Sequence, residues 1–294
     1  MNSPETARGA VARNGSARGS AVWWLIGPAL IFVALTFALP VILTLSESLR
    51  VGGAITLENY RAFFSDELNL EVLWRTVRIS ALTTLVSAVV CYPAALAASR
   101  VNPKYRGVLM GLIILPLMTS SVARTYTWLI LLGRGGMVNA ALVGVGVLRE
   151  PVQMLFTEGA VFVGLLQLFM PLMLISLVSA MENLPKDALH AARSLGANEW
   201  QVFTRVIAPL TREGLVVGGT LVFTGCMTAY VTPALLGGPK VTVLATLLYQ
   251  KASVSVDFGA ASVIAVVMLA TTLLVNALLR GRAGRRAPKA LVAG

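Results

Sequence analysis

Few side chains in this sequence could do covalent or metal chemistry. The only histidine is His190, and the two cysteines, Cys91 and Cys226, both fall inside apolar runs. A single histidine excludes a multi-histidine metal cluster, and cysteines in apolar sequence indicate neither a disulfide framework nor a zinc site. No Gly-x-x-x-x-Gly-Lys-Ser/Thr phosphate loop occurs, so the chain does not hold ATP in that manner. What stands out instead is a mechanical element. Residues 189–209, L-H-A-A-R-S-L-G-A-N-E-W-Q-V-F-T-R-V-I-A-P, are polar yet patterned, and lie between two apolar runs.

Ala188, Ala191, Ala192 and Leu195 follow the i, i+3, i+4, i+7 spacing of one helical face. Mostly small side chains on that face let another surface approach the backbone. Asp187, His190, Arg193 and Ser194 take the opposite side. Gly196 predicts a helix stop, because a residue without Cβ enters the left-handed conformation cheaply. Asn198 with Gln201 three residues on predicts a capping box and a second helix. Trp200, Phe203 and Ile207 form the apolar stripe of that helix, and Pro209 is its expected end. Lys186, Arg193, Arg205 and Arg212 are balanced by Glu182, Asp187, Glu199 and Glu213. A segment lying on anionic lipid would be strongly basic, so the balance suits docking to a protein. The pattern alone leaves open a solvated loop with two short amphipathic helices.

The elements around this elbow are membrane-like. The 294 residues are 56% hydrophobic and 13% charged, with mean hydropathy +0.78, whereas soluble proteins carry about 25% charged residues. The net charge of +11 comes from basic residues outside the apolar runs, without a nucleic-acid motif, and so reads as a topology signal. An all-α membrane protein is predicted, with spans at about 22–45, 76–99, 108–132, 154–180, 215–236 and 258–279. They make a six-span domain over 21–280, with the elbow at 186–209 between spans four and five. A disordered tail over 1–20 and a basic tail over 281–294 flank it. The first run is too long for a cleaved signal peptide. Basic residues in both tails, the 100–106 turn and the elbow place all of these in the cytoplasm, which requires an even number of spans. Trp23 and Trp24 read as interfacial anchors. Between spans one and two, Leu57, Tyr60, Phe63 and Phe64 suggest a small amphipathic helix at the outer surface.

Taken together, these residues resemble a permease subunit of a bacterial ABC importer. The signature of that family is Glu-Ala-Ala, three residues, Gly, then about ten residues and Ile-x-Leu-Pro. It is matched here by Ala191, Ala192, Gly196, Ile207 and Pro209, with His190 in place of the usual Glu and Ala208 in place of Leu. T-L-E-N-Y at 56–60, R-T-Y-T-W at 124–128, G-x-x-N at 136–139 and Y-V-T-P-A-L-L-G-G at 230–238 are similar to the spermidine/putrescine branch. The resemblance implies a subunit of the bacterial inner membrane that works with two ATPase subunits, a second homologous permease forming a heterodimer, and a periplasmic solute-binding protein. ATP and Mg would be bound by the ATPase, with no cofactor in this chain. Asp187, His190, Ala191, Ala192, Arg193, Gly196, Ile207 and Pro209 would form the ATPase-coupling site. A phosphonate, an opine, ferric iron or thiamine are alternative substrates, and a stand-alone secondary transporter is an alternative class.

For the pathway the candidates are Arg124, Tyr126, Tyr230, Thr232 and Pro233. Arginine at the bilayer centre costs about 2.5–3.5 kcal/mol on insertion scales. Arg124 therefore reads either as a snorkelling or backbone-bonding residue or as a gate. Tyr230 fits pathway lining and an interfacial aromatic belt equally. Gln167 and Asn276 suit bonds between helices, and Pro93, Pro116 and Pro171 suit kinks.

Overall fold

Without water, a backbone satisfies its polar groups only within itself, so long apolar runs become helices. The computed structural model describes residues 26–284. The predicted 1–20 tail, Trp23, Trp24 and the basic residues Arg285, Arg286 and Lys289 lie outside the described residues.

The regular structure of the described residues is helical apart from one small hairpin. Helix α1 spans Ile26–Ser48, and strands β1 (Arg50–Val51) and β2 (Ala54–Ile55) pair antiparallel. Then come α2 (Glu58–Ser65), α3 (Glu67–Ser99), α4 (Pro103–Met118), α5 (Ser121–Leu132), α6 (Met137–Gly144) and α7 (Glu158–Glu182). The elbow supplies α8 (Lys186–Ser194) and α9 (Glu199–Leu210). The second half ends with α10 (Arg212–Thr228), α11 (Val231–Leu236), α12 (Leu244–Tyr249) and α13 (Phe258–Gly284). Among the described residues, five stretches are long and apolar enough to cross a membrane: α1, α3, the α5–α6 run, α7 and α13. The α9–α10 pair, bent by 59°, makes up to six.

Two elements differ from the sequence expectation. The run predicted as one helix over 108–132 is broken between α4 and α5. Pro116 removes a backbone donor, Thr119 turns extended at ψ 149°, and its N–H and hydroxyl both donate to the Pro116 carbonyl, at 3.3 and 2.7 Å. The run predicted over 215–236 breaks at Ala229–Tyr230, so α11 is a separate short helix.

Helices α3, α7 and α10 form the centre. Val161, Leu165, Met173, Leu177, Val222 and Cys226 are buried there. The α7–α10 crossing is close because Gly214 and Gly218 share one face of α10. A Cβ on Gly214 would lie 2.3 Å from the Ala180 Cβ, and one on Gly218 would lie 2.7 Å from the Met173 Sδ. This is the small-xxx-small packing of membrane helices, in which close backbones replace the missing hydrophobic drive. A second core joins α2, α3, α10, α12 and α13 through Phe63, Phe223, Met227, Leu244 and Ile264. Phe63 is therefore the inward residue of the expected amphipathic helix, while Phe64 stays exposed.

Candidate functional site

The elbow is built from local signals. Helix α8 ends with a paired hydrogen-bond closure: Ala197 N–H donates to Ala192 O at 3.1 Å and Gly196 N–H to Arg193 O at 3.0 Å. That geometry needs a left-handed residue, and Gly196 sits at φ +80°. The next helix opens on a reciprocal cap. Gln201 N–H donates to Asn198 Oδ1 at 2.8 Å, and Asn198 N–H donates to Gln201 Oε1 at 3.0 Å. Arg193 Nε, 3.1 Å from Glu199 Oε1, ties the two arms together.

Which side faces the bundle differs from the sequence pattern. The predicted stripe contained Trp200, yet Trp200 is 70% exposed, and Val202 and Ile207 are the buried residues. The cause is a π turn over Phe203–Ile207, which brings residues five apart onto one side. The same turn carries the helix through Pro209 to Leu210 rather than ending it at the proline. Thr211, fully buried, forms the bend; its hydroxyl is 2.6 Å from the Tyr92 hydroxyl of α3. The Phe203 ring stands edge-on to Tyr92 at 5.5 Å, and Trp200 stacks outside Phe203 at 5.7 Å. Arg106 of α4 donates from Nε to Glu182 at 2.6 Å, beside a cleft of about 530 Å³ reaching Leu189 and Arg193.

The other coupling candidates divide by exposure. Asp187, His190, Ala191, Arg193, Gly196 and Pro209 are exposed, Ala192 is half-buried, and Ile207 is buried. Leu195, at 88%, is the most exposed large apolar side chain of the elbow. Leu195 and Trp200 together put a large apolar surface on an otherwise charged tip, and such exposure marks a protein contact.

The opposite end of the bundle is held by ionic and buried polar contacts. Arg75 on α3 donates to Glu158 at 3.2 Å and to Thr242 O at 3.2 Å, and also pairs with Glu71; Arg78 pairs with Glu158 as well. One residue on, the Thr76 hydroxyl accepts from Leu244 N–H at 2.9 Å. The segment leading into α12 is thus fastened to α3 at two successive positions. Asn139, fully buried, bonds Gly133 O, Val152 O and Val152 N–H at 3.0 Å each, which fixes the loop around α6.

The pathway candidates lie on or next to two short helices, α5 and α11, that meet at Thr125 and Thr232. Thr232 is buried with its hydroxyl 3.1 Å from that of Thr125, and Pro233 is buried beside it. Tyr126 is exposed on α5. Arg124 is half-buried, and its Nε and Nη1 have no partner among the described residues. Tyr230, 37% exposed, lies against Tyr249, 46% exposed, with ring centres 4.8 Å apart.

Comparison with known proteins decides the family. Residues 92–284 match the family described as "Binding-protein-dependent transport system inner membrane component". The chain belongs to that family. The permease is 36% identical over 255 residues to the spermidine/putrescine transport system permease protein PotB of Haemophilus influenzae, covering 86% of this chain and 87% of the relative. It is 28% identical over 206 residues to the inner membrane ABC transporter permease protein YdcU of Escherichia coli, covering 65% of each. Its fold matches a crystal structure of a bacterial ABC transporter involved in the import of alginate, with TM-score 0.79 at 17% identity, over 94% of this chain and 99% of the other. The permease is accordingly a multi-pass protein of the bacterial inner membrane.

Sequence reasoning missed three features of the permease. The sequence pattern groups Trp200 with Ile207, and the π turn separates them, leaving Trp200 exposed and Ile207 buried. Tyr249 has no local signal, because its partner is nineteen positions away in the chain. Arg75 lies just before the expected second span, in sequence with no pattern to distinguish it, although Glu158 and Glu71 are acids that a charge-pairing search would have found.

Proposed function

We propose that this chain is the membrane-spanning permease subunit of an ATP-driven importer, and that its solute is a small polyamine of the spermidine/putrescine type. The observation that carries the reading is the 36% identity to a spermidine/putrescine permease across 86% of the chain. The elbow supports the mechanism. Its inner side is rooted by Val202, Ile207 and Thr211, and its outer side offers Leu195, Trp200, His190 and Asp187. An ATPase subunit docked on that outer side moves α8 and α9 as one lever, because the Gly196 closure, the Asn198 cap and the Arg193–Glu199 pair bind the arms together.

In this reading both termini and the elbow are cytoplasmic, the spans number six, and α10, bent by 59° from α9, begins the fifth. A second homologous permease completes the pathway as a heterodimer, two ATPase subunits take the two elbows, and a periplasmic binding protein delivers the solute. ATP and Mg are bound by the ATPase, and this chain holds no cofactor. His190 replaces a carboxylate at the docking surface, and Asp187 supplies negative charge one turn earlier.

The test is uptake of labelled putrescine and spermidine into vesicles holding both permeases, the ATPase and the binding protein. A phosphonate and ferric iron run in parallel. ATP-dependent polyamine accumulation is the expected result. Accumulation of a different solute alone would remove the substrate assignment and leave the importer.

A further inference from the structure

The break in the fifth span raises a physical problem. Helix α10 runs from Arg212 to Thr228, about 24 Å at helical rise, which ends inside a hydrocarbon layer about 30 Å thick. There the backbone leaves the helix: Ala229 is extended, with ψ 124°, and α11 begins two residues later. Pro233 has no N–H, so the Ala229 carbonyl loses its i+4 donor. Non-helical backbone at that depth is not tolerated against lipid; it is found buried in protein or lining a water-filled cavity.

The surroundings of the break decide which side is open. Thr232, Pro233 and Leu236 are buried on one flank, and Val243, Leu244, Ala245 and Thr246 are buried on the other. The residues left exposed are Thr228, Tyr230, Tyr249 and Gln250, and the two tyrosine rings touch at 4.8 Å with 37° between their planes. An interfacial belt does not account for this group. A belt residue sits on an intact helix facing lipid, whereas Tyr230 lies at the interruption itself and Gln250 stands beside its ring partner.

Two features of this group select for positive charge. The aromatic faces are electron-rich and attract ammonium groups. The last carbonyls of α10 are short of helical donors and carry the negative end of its dipole. The stretch between Glu213 and Asp257 contains no Asp or Glu to hold a cation tightly, and its two cations are Lys240 and Lys251. We infer that Tyr230 and Tyr249 form a cation-binding station on the translocation pathway, where an organic ammonium group stacks on the ring pair beside the open end of α10.

This station rests on the importer reading above and names how a pathway with so little acid passes a cation. Weak, acid-free binding suits a pathway, because a solute must leave each station as readily as it enters. The fastening of Thr242 and Leu244 to Arg75 and Thr76 then acquires a role: it holds α12, and with it Tyr249, at the correct distance from Tyr230.

The test uses the complete complex in vesicles and measures polyamine accumulated per ATP hydrolysed at saturating binding protein. Tyr249→Leu and Tyr230→Leu are each expected to lower that ratio about two- to thirtyfold, the range of one cation–ring contact from exposed to desolvated. Stimulated ATP hydrolysis should continue, which reports intact assembly. The double variant Tyr230→Phe/Tyr249→Phe keeps both ring faces and is expected to stay near the wild type. Leucine variants with an unchanged ratio would overturn the station, and so would a double phenylalanine variant as poor as the leucine ones. Wild-type vesicles that accumulate no polyamine would overturn the substrate reading instead, so the two failures are distinguishable.

Discussion

The elbow and the break in the fifth span are both interruptions of helix, yet they are built in opposite ways. The elbow is closed by residues within a few positions of each other: Ala197 with Ala192, Gly196 with Arg193, Asn198 with Gln201, Arg193 with Glu199. The break is held by residues far apart in the chain: Thr125 with Thr232, Tyr230 with Tyr249, Arg75 with Thr242. A lever must keep its shape while a partner pushes on it, and local closure provides that. A pathway segment must change its surroundings when the bundle rearranges, and long-range contacts can be remade.

Substitutions sharpen that contrast, beginning with the bundle that joins the two regions. Gly214→Leu places a side chain where even a Cβ would lie 2.3 Å from Ala180. It should cost about 3 kcal/mol or more, the upper range for overpacking, and abolish a monodisperse peak in detergent size-exclusion chromatography. Ile207→Ala removes a buried root of the elbow and should cost about 2 kcal/mol or more, read as a lower Tm. Trp200→Ala, on the exposed side of the same helix, should leave Tm within a degree or two of the wild type and yet weaken ATPase binding. Equal Tm losses for the two would contradict the division of α9 into an inner and an outer side. Glu199→Gln gives the smallest change: it breaks an exposed pair worth roughly 0.2–1 kcal/mol, a loss that salt should mask.

These differences also explain what was legible beforehand. The elbow was readable because its determinants are short-range: a glycine needing φ +80°, and a cap with its partner three residues on. The stripe on α9 was misread where a π turn changed the period, and Trp200 crossed from the inner to the outer side. Helix was legible throughout, since apolar length alone dictates it, but the interruptions after Met118 and Thr228 were not. Pro116 marks the first. The second has Pro233 beyond it, yet whether proline kinks or breaks a span depends on what neighbouring helices supply. The Tyr249–Tyr230 and Arg75–Thr242 contacts were invisible for the same reason, since they join separate elements.

The most direct test of the central claim, that the elbow transmits ATPase motion to the pathway, is the Gly196→Val variant in vesicles carrying the full complex. Valine at φ +80° is strained whatever the space around it, so the two arms should no longer move as one body. ATP hydrolysis that continues while polyamine uptake falls is the expected result. Uptake equal to the wild type at equal ATP turnover would contradict the lever.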